Sequence, residues 1–122
     1  MLPLSNVISS LALVLMMSLV FSQEALSHAK GPRTSPEAGQ VLEALPQKLE
    51  MEFNQEVILT RVQLVLPDGR KVALPLDGLE RSSKHALSLE EAKAGKGQYQ
   101  VLWKALSADG HPVKGAFDFG VE

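Results

Sequence analysis

The 122-residue chain contains no cysteine. This absence excludes disulfide frameworks, zinc–thiolate sites and cysteine nucleophiles. The formal net charge is only -2, so the chain lacks the excess of basic residues that is typical of nucleic-acid-binding proteins. No Gly-rich phosphate loop and no Ser-His-Asp order is evident either. A small domain of this composition must be held together by its apolar core alone.

The longest apolar run, Val7 to Phe21, lies near the N-terminus and is interrupted only by serines. It is short for a membrane span and has the length of the apolar region of a secretory signal. Ala25-Leu26-Ser27 supplies the small residues expected before a cleavage site, although no Lys or Arg precedes the apolar run. We therefore expect a signal peptide over residues 1–27, a mature domain over residues 28–122 and export of the protein. An uncleaved N-terminal anchor is the alternative.

After residue 28 the sequence consists of short runs in which apolar and polar side chains alternate. This period of two, with turn signals such as Pro67-Asp68-Gly69 between the runs, is typical of β-strands joined by hairpins. The pattern predicts an all-β fold, a single antiparallel β-sandwich with immunoglobulin-like topology. Met51, Trp103, Phe117 and Phe119 are its predicted core residues. The predicted strands lie at 48–53, 57–66, 70–74, 84–89, 98–106 and 113–121, after a short edge strand before residue 43.

An acid and an imidazole lie two residues apart between the last two predicted strands, as Asp109 and His111. Residues at this spacing in extended chain point to the same side, with Cα atoms about 6.5–7 Å apart. Pro112 favours extended geometry at His111, because the residue before a proline is disfavoured in the helical region. By itself such a pair is more often turn chemistry, since Asp-Gly favours a turn and a histidine there is solvated.

His28 would complete a metal site if the signal peptide were removed directly before it. Its α-amine and its Nδ1 nitrogen could then chelate one ion. Asp109 would add a carboxylate oxygen, and His111 would add an imidazole nitrogen. Three nitrogens and one oxygen in a tetragonal arrangement suit Cu(II) best among the first-row divalent ions. Soft Cu(I) has few ligands here, because Met51 is the only methionine after residue 28. His85, in a polar strand, is predicted to be a surface residue and not a ligand.

Four motifs between residues 28 and 121 resemble those of a known family. Thr34–Gly39 is similar to its Ser-x-Pro-x-x-Gly opening, and Leu49–Asn54 to its next strand. The most specific motifs are Gly-x-Tyr-x-Val-x-Trp at Gly97–Trp103 and Ser-x-Asp-x-His-Pro-x-x-Gly at Ser107–Gly115, before an alternating Phe117/Phe119 strand. In these motifs the chain resembles the CopC-type copper-resistance proteins of the bacterial periplasm.

The resemblance implies a Greek-key β-sandwich that holds one Cu(II) ion per chain through His28, Asp109 and His111. It implies a periplasmic copper carrier or buffer, not an enzyme, that works beside an inner-membrane partner of the CopD type. We expect a monomer, because nothing in the sequence favours self-association. The chain departs from some members in having no methionine over residues 66–88, so no Cu(I) site is expected, and in having Gln55 where they carry a glutamate.

Two other functions stay open at this point. An N-terminal histidine with a second histidine also builds the copper brace of oxidases that act on polymers. A sandwich domain can also serve as a metal-free interaction module. Binding is favoured over catalysis, because four protein ligands leave no open position for a substrate, whereas catalytic metal sites keep one.

Overall fold

The computed structural model describes residues 31–76, 78–92 and 94–122. The predicted signal peptide and His28 lie outside these residues. No helix in the described ranges is long and apolar enough to cross a membrane. The all-β prediction is confirmed. The strands are β1 (Arg33–Ser35), β2 (Val41–Leu42), β3 (Lys48–Val65), β4 (Lys71–Ala73), β5 (Arg81–Ser88), β6 (Gly97–Leu106) and β7 (Pro112–Val121).

The strand β3 belongs to both halves of the fold. Its first part pairs with β1 and β5, and its second part pairs with β4 and β6. The register of its partners shifts between Glu52 and Val57 and again between Leu59 and Arg61, and such bulges bend a strand and increase its twist. The sequence predicts two separate strands over this segment, at 48–53 and 57–66. One continuous strand instead lets a single hydrogen-bonded sheet curl around a common core.

All strand pairs are antiparallel except β2 with β7, which are parallel. Three backbone hydrogen bonds support this contact, from Gly39 N to Asp118 O at 2.7 Å, from Gly120 N to Gln40 O at 2.8 Å and from Glu122 N to Leu42 O at 2.8 Å. The purely antiparallel expectation is wrong at this point. A strand of two residues carries no periodic signal, and its partner lies far away in the sequence, so no turn fixes its direction.

One apolar cluster joins the two halves of the sheet. Of the predicted core residues, Met51, Trp103 and Phe119 are buried and Phe117 is partly buried. The rings of Phe53 and Trp103 meet edge to face with centroids 5.2 Å apart, which links the two parts of the sheet. The cluster also contains Leu49, Val57, Leu59, Val62, Leu64, Leu87, Leu89, Tyr99 and Val101.

The strands β6 and β7 form one long hairpin, paired from Gly97 with Val121 to Leu106 with Pro112. Their predicted bounds agree with the structure within one residue. Close packing fixes the hairpin against the core, because a Cβ atom at Gly115 would lie 2.6 Å from a ring carbon of Trp103. The turn between the two strands is therefore held at one end of a rigid element.

Candidate metal site

Asp109 and His111 lie in the turn Ser107–His111 that closes the β6–β7 hairpin. The N–H of Ser107 donates to the carbonyl of His111 at 2.8 Å, and the N–H of Gly110 donates to the carbonyl of Ser107 at 2.9 Å. Gly110 has a φ of 86°, in the left-handed region that glycine adopts most readily. The local sequence therefore produces a tight turn, as its Asp-Gly pair predicts.

The two predicted ligand side chains of this turn contact each other directly. The Nδ1 nitrogen of His111 lies 2.8 Å from the Oδ2 oxygen of Asp109. The other oxygen, Oδ1, accepts the backbone N–H of His111 at 3.3 Å and the hydroxyl of Ser107. Ser107 is buried, so it fixes the carboxylate from the protein side. The turn thus holds an acid and an imidazole in one defined orientation.

Hydrogen bonds within the turn stabilise the ionised form of the Asp109 carboxyl. The hydroxyl of Ser107, followed by the side chain and the backbone N–H of His111, lowers the pKa of the Asp109 carboxyl below its ordinary value of 3.8. The side chains of His111 and Asp109 are nevertheless 78% and 68% exposed. The pair is therefore an ionised acid beside an imidazole, and most of its surface is accessible to an ion from solution.

The donor atoms that remain on this pair suit a metal ion. An ionised carboxylate only accepts hydrogen bonds, so the Nδ1 nitrogen of His111 carries a proton, and in the neutral imidazole its Nε2 nitrogen keeps a free lone pair. Nε2 makes no hydrogen bond to any residue of the described ranges. A carboxylate that holds Nδ1–H in this way orients a histidine for metal binding. Because the two nitrogens lie on opposite ring edges, one ion can reach both Nε2 and Oδ2 of Asp109 only after the Nδ1 bond is released.

Two neighbours of the site were not predicted. The guanidinium of Arg81 donates through Nη1 to the carbonyl of Ala108 at 3.1 Å, which ties β5 to the turn. No sequence signal reveals this contact, because it joins residues that are distant along the chain. Ser107 was visible in the Ser-x-Asp spacing, but the sequence alone did not show that its hydroxyl binds Asp109.

His85 has a different role from that of His111. It was predicted to lie on the surface and is half-buried. Its Nε2 nitrogen faces the carbonyls of Ser82 at 2.8 Å and Val57 at 3.1 Å, so this nitrogen carries a proton. The ring also meets Phe53 edge to face, with centroids 6.1 Å apart. These contacts make His85 a packing residue of the fold.

Within the described ranges, no group of three or more His, Cys, Asp or Glu residues is arranged to hold a metal. The structure brings together two of the three predicted ligand residues, Asp109 and His111. The third, His28, lies outside the described residues.

The fold and this site together define a small all-β domain that presents an exposed Asp–His pair at the tip of a hairpin. Residues 32–122 match the family model described as "CopC domain". The chain therefore belongs to the CopC family.

Individual relatives agree with this assignment. The chain is 28% identical over 113 residues to the copper transport protein CutJ of Bacillus subtilis, with 89% of this chain matched. It spans only 21% of the length of that relative. It is also 25% identical over 114 residues to protein YobA of Escherichia coli K12, matching 91% of this chain and 92% of YobA.

A solved structure has the same fold. The crystal structure of CopC from Methylosinus trichosporium OB3b superimposes with a TM-score of 0.61 at 22% identity, over 75% of this chain and 94% of that one. At this level of identity the likeness establishes the fold of the described domain.

Proposed function

We propose that this protein binds copper as its cargo and acts as a periplasmic carrier or buffer in copper homeostasis. In this proposal one Cu(II) ion per chain is held by His28, Asp109 and His111. The observation that carries it is the solvent-exposed pair of Asp109 and His111 at a hairpin tip, whose imidazole presents Nε2 to solution, in a chain of the CopC family. The name of the Bacillus relative, a copper transport protein, supports the same cargo.

The role of His28 depends on processing of the chain. Cleavage directly before His28 would free an α-amine beside its imidazole and give two nitrogen ligands from one residue. Mass spectrometry of the exported protein tests this step, and we expect a mature chain that begins at His28. A terminus one residue to either side, or a retained signal, would remove the two-nitrogen anchor and contradict the proposed ligand set.

Copper affinity can be tested on the processed protein by isothermal titration with Cu(II). We expect one site per chain with a dissociation constant below about 1 μM. A variant with one alanine inserted before His28 should bind at least about 100-fold more weakly, because the amine is displaced from its imidazole. His85→Gln is the matched control and should bind as the unaltered protein does, because His85 is a packing residue. Binding no tighter than micromolar would favour a metal-free interaction module.

Asp109 is proposed as the only oxygen ligand, and its role can be separated from that of an orienting residue. Substitution Asp109→Ala should weaken Cu(II) binding and change the electron paramagnetic resonance spectrum of the bound ion. A spectrum that stays the same, with weaker binding, would show that Asp109 only orients His111. Binding should also weaken in acid, since the amine and the imidazoles must lose protons to coordinate.

We propose a binding role and not an enzymatic one, because the ligand set leaves no equatorial position for a substrate. Reductant-dependent oxidation of a polysaccharide by the copper-loaded protein, lost in His111→Ala, would overturn this. A CopD-type membrane protein is the proposed partner, and a monomer the proposed state.

A further inference from the structure

Three basic residues form one row across the outer face of the sheet half that ends in the candidate metal site. Arg61 of β3 pairs with Lys104 of β6, and Lys104 pairs with Lys114 of β7. Directly paired residues on antiparallel strands have Cβ atoms about 4.5–5.5 Å apart. All three side chains are exposed. We call Arg61, Lys104 and Lys114 the basic row.

Nothing in the described part of the chain neutralises the basic row. None of its members forms an ion pair with another described residue. The nearest acid of β7 on the same face is Asp118, four residues beyond Lys114, which corresponds to about 13 Å along a strand. Like charges placed directly opposite each other destabilise a sheet. The neighbouring rows are uncharged and consist of Gln63, Leu102 and Ala116 on one side and Ile58, Leu106 and Pro112 on the other.

In the other half of the same sheet, exposed cations lie opposite an acid and not opposite each other. There Arg33 of β1 and Lys84 of β5 both pair with Glu52 of β3. We call these three residues the mixed-charge row. Its central acid offsets the two flanking cations, so it has favourable cross-strand neighbours. Since one strand, β3, contributes to both rows, the fold itself does not require the basic row to be uniformly positive.

The surface around the basic row can accommodate carboxylate groups between the cations. The irregularity between Leu59 and Arg61 places Thr60 as an extra exposed residue beside the row. A shallow groove of about 330 Å³ follows Thr60, Lys104 and Lys114 on the side of the turn, and another of about 200 Å³ follows Arg61, Lys104 and Lys114 on the opposite side. Each groove is large enough for acidic side chains to reach two or three cations.

The basic row also lies close to the candidate metal site. Lys104 and Lys114 each stand two residues from the ends of their strands at Leu106 and Pro112, where the turn Ser107–His111 begins and ends. Two residues of strand correspond to about 7 Å. A macromolecule seated on the basic row would therefore have the turn at its margin.

We propose that the basic row is the docking surface for an acidic protein partner, whose carboxylates pair with the three cations while the turn faces it. The role of this contact in copper transfer rests on the proposed function, whereas the docking itself does not. A protein is favoured over a lipid surface because the flanking Leu102 and Leu106 are only partly exposed, and the neighbouring Val113, which is 36% exposed, is a single short side chain and too small a membrane anchor. Three cations alone give only marginal membrane binding.

The test uses the whole metal-free protein and the peptide hexaglutamate as probe, followed by amide NMR spectra at low salt. We expect shifts centred on Arg61, Lys104 and Lys114 that disappear at about 0.5 M salt, because exposed ion pairs are screened. The triple variant Arg61→Gln, Lys104→Gln and Lys114→Gln should bind about tenfold more weakly, as expected for the loss of three exposed ion pairs. The same spectra report whether the variant is folded.

A matched control removes the same charge from the other half of the sheet, through Arg33→Gln, Lys48→Gln and Lys84→Gln. It should bind hexaglutamate within about twofold of the unaltered protein, since these exposed residues lie apart from the basic row. Equal weakening in both triple variants would overturn the proposal, because binding would then follow net charge. So would binding of the basic row to phosphatidylglycerol vesicles without binding to the peptide.

A separate Cu(II) titration distinguishes this proposal from the proposed function. The basic-row triple variant should bind copper as the unaltered protein does, because none of the three residues is a proposed ligand. Should the unaltered protein bind no copper while the peptide still binds at the basic row, the proposed function fails and the docking surface stands.

Discussion

Two hairpin turns of the molecule, Leu66–Arg70 and Ser107–His111, have the same backbone. In each, the first residue donates its N–H to the carbonyl of the last at 2.8 Å, and the glycine donates to the carbonyl of the first at 2.9 Å. The glycines have φ values of 90° at Gly69 and 86° at Gly110. Asp-Gly in a short connection between strands favours this geometry in both places.

The aspartates of the two turns also make the same contacts. Asp68 accepts the backbone N–H of Arg70 at 3.0 Å and its side-chain Nε–H at 2.7 Å. Asp109 accepts the backbone N–H of His111 at 3.3 Å and its Nδ1–H at 2.8 Å. An aspartate that binds the residue two positions later therefore stabilises this type of hairpin turn through local contacts. The contact between Asp109 and His111 does not by itself indicate a metal site.

The turns differ at three side chains on a common backbone, and besides Pro67 in place of Ala108 two of these differences bear on metal binding. Arg70 has only hydrogen-bond donors, whereas the imidazole of His111 keeps a lone pair for a metal. Leu66 packs into the core, whereas Ser107 at the same position binds the carboxylate of Asp109. The comparison indicates which two features could make a structural turn into a metal site. One is a nitrogen with a lone pair that faces solvent, and the other is a hydroxyl that holds the carboxylate in place.

The largest expected effect comes from making the second turn like the first. His111→Arg should retain the turn, because an arginine satisfies Asp68 at the equivalent position. We expect Cu(II) affinity to fall by about 100-fold or more, since a ligand nitrogen is lost. The free energy of unfolding should change by less than about 0.5 kcal/mol, as for other exposed substitutions. Titration calorimetry and urea unfolding measure the two quantities, and unchanged copper affinity would remove His111 from the site.

A smaller effect is expected from Ser107→Ala, which removes the hydroxyl that has no equivalent in the first turn. Residues that orient a metal ligand typically contribute about 10-fold to 100-fold in affinity, and we expect the lower end for Cu(II) here. Ser88→Ala, on β5, is the control and should bind copper normally. Normal affinity in the Ser107 variant would show that the orientation of Asp109 does not matter for binding.

The reverse exchange, Arg70→His, should have a smaller effect still. It creates Asp-Gly-His in the first turn, but the proposed amine and imidazole of His28 serve a single site. We expect copper stoichiometry to stay at one per chain, with any new binding at least about 100-fold weaker than the first site. A second site of similar affinity would mean that the turn alone suffices and that His28 is not needed.

The sequence predicted the parts of the molecule that local chemistry determines. Asp-Gly marked both turns, and strict alternation marked the hairpin strands on either side of Asp109 and His111. It did not predict that β3 is continuous, because Asn54-Gln55-Glu56 interrupts the apolar pattern. The contact of Arg81 with Ala108 and the parallel β2–β7 pair depend on long-range packing, for which no periodicity exists.

The smallest expected effect concerns the acidity of the two aspartates. Both carboxyl groups have a pKa below 3.8, Asp68 chiefly through the backbone N–H of Arg70 and Asp109 chiefly through the hydroxyl of Ser107. A lowered pKa in the folded state contributes stability that is present above the unfolded value and lost as the pH falls through the folded value. Both turns should therefore weaken in acid.

Carboxyl-carbon NMR titration of the metal-free protein can separate the two causes. In Ser107→Ala the pKa of Asp109 should rise toward 3.8, because its largest stabilising contact is gone, while that of Asp68 should not change. The second turn alone would then contribute less stability at neutral pH and lose correspondingly less in acid, because the folded and unfolded pKa values of Asp109 would lie closer together. If the pKa of Asp109 stayed low, the imidazole and backbone of His111 would suffice to hold the charge. For metal binding, the difference between the two turns that matters would then be the donor atom that His111 presents.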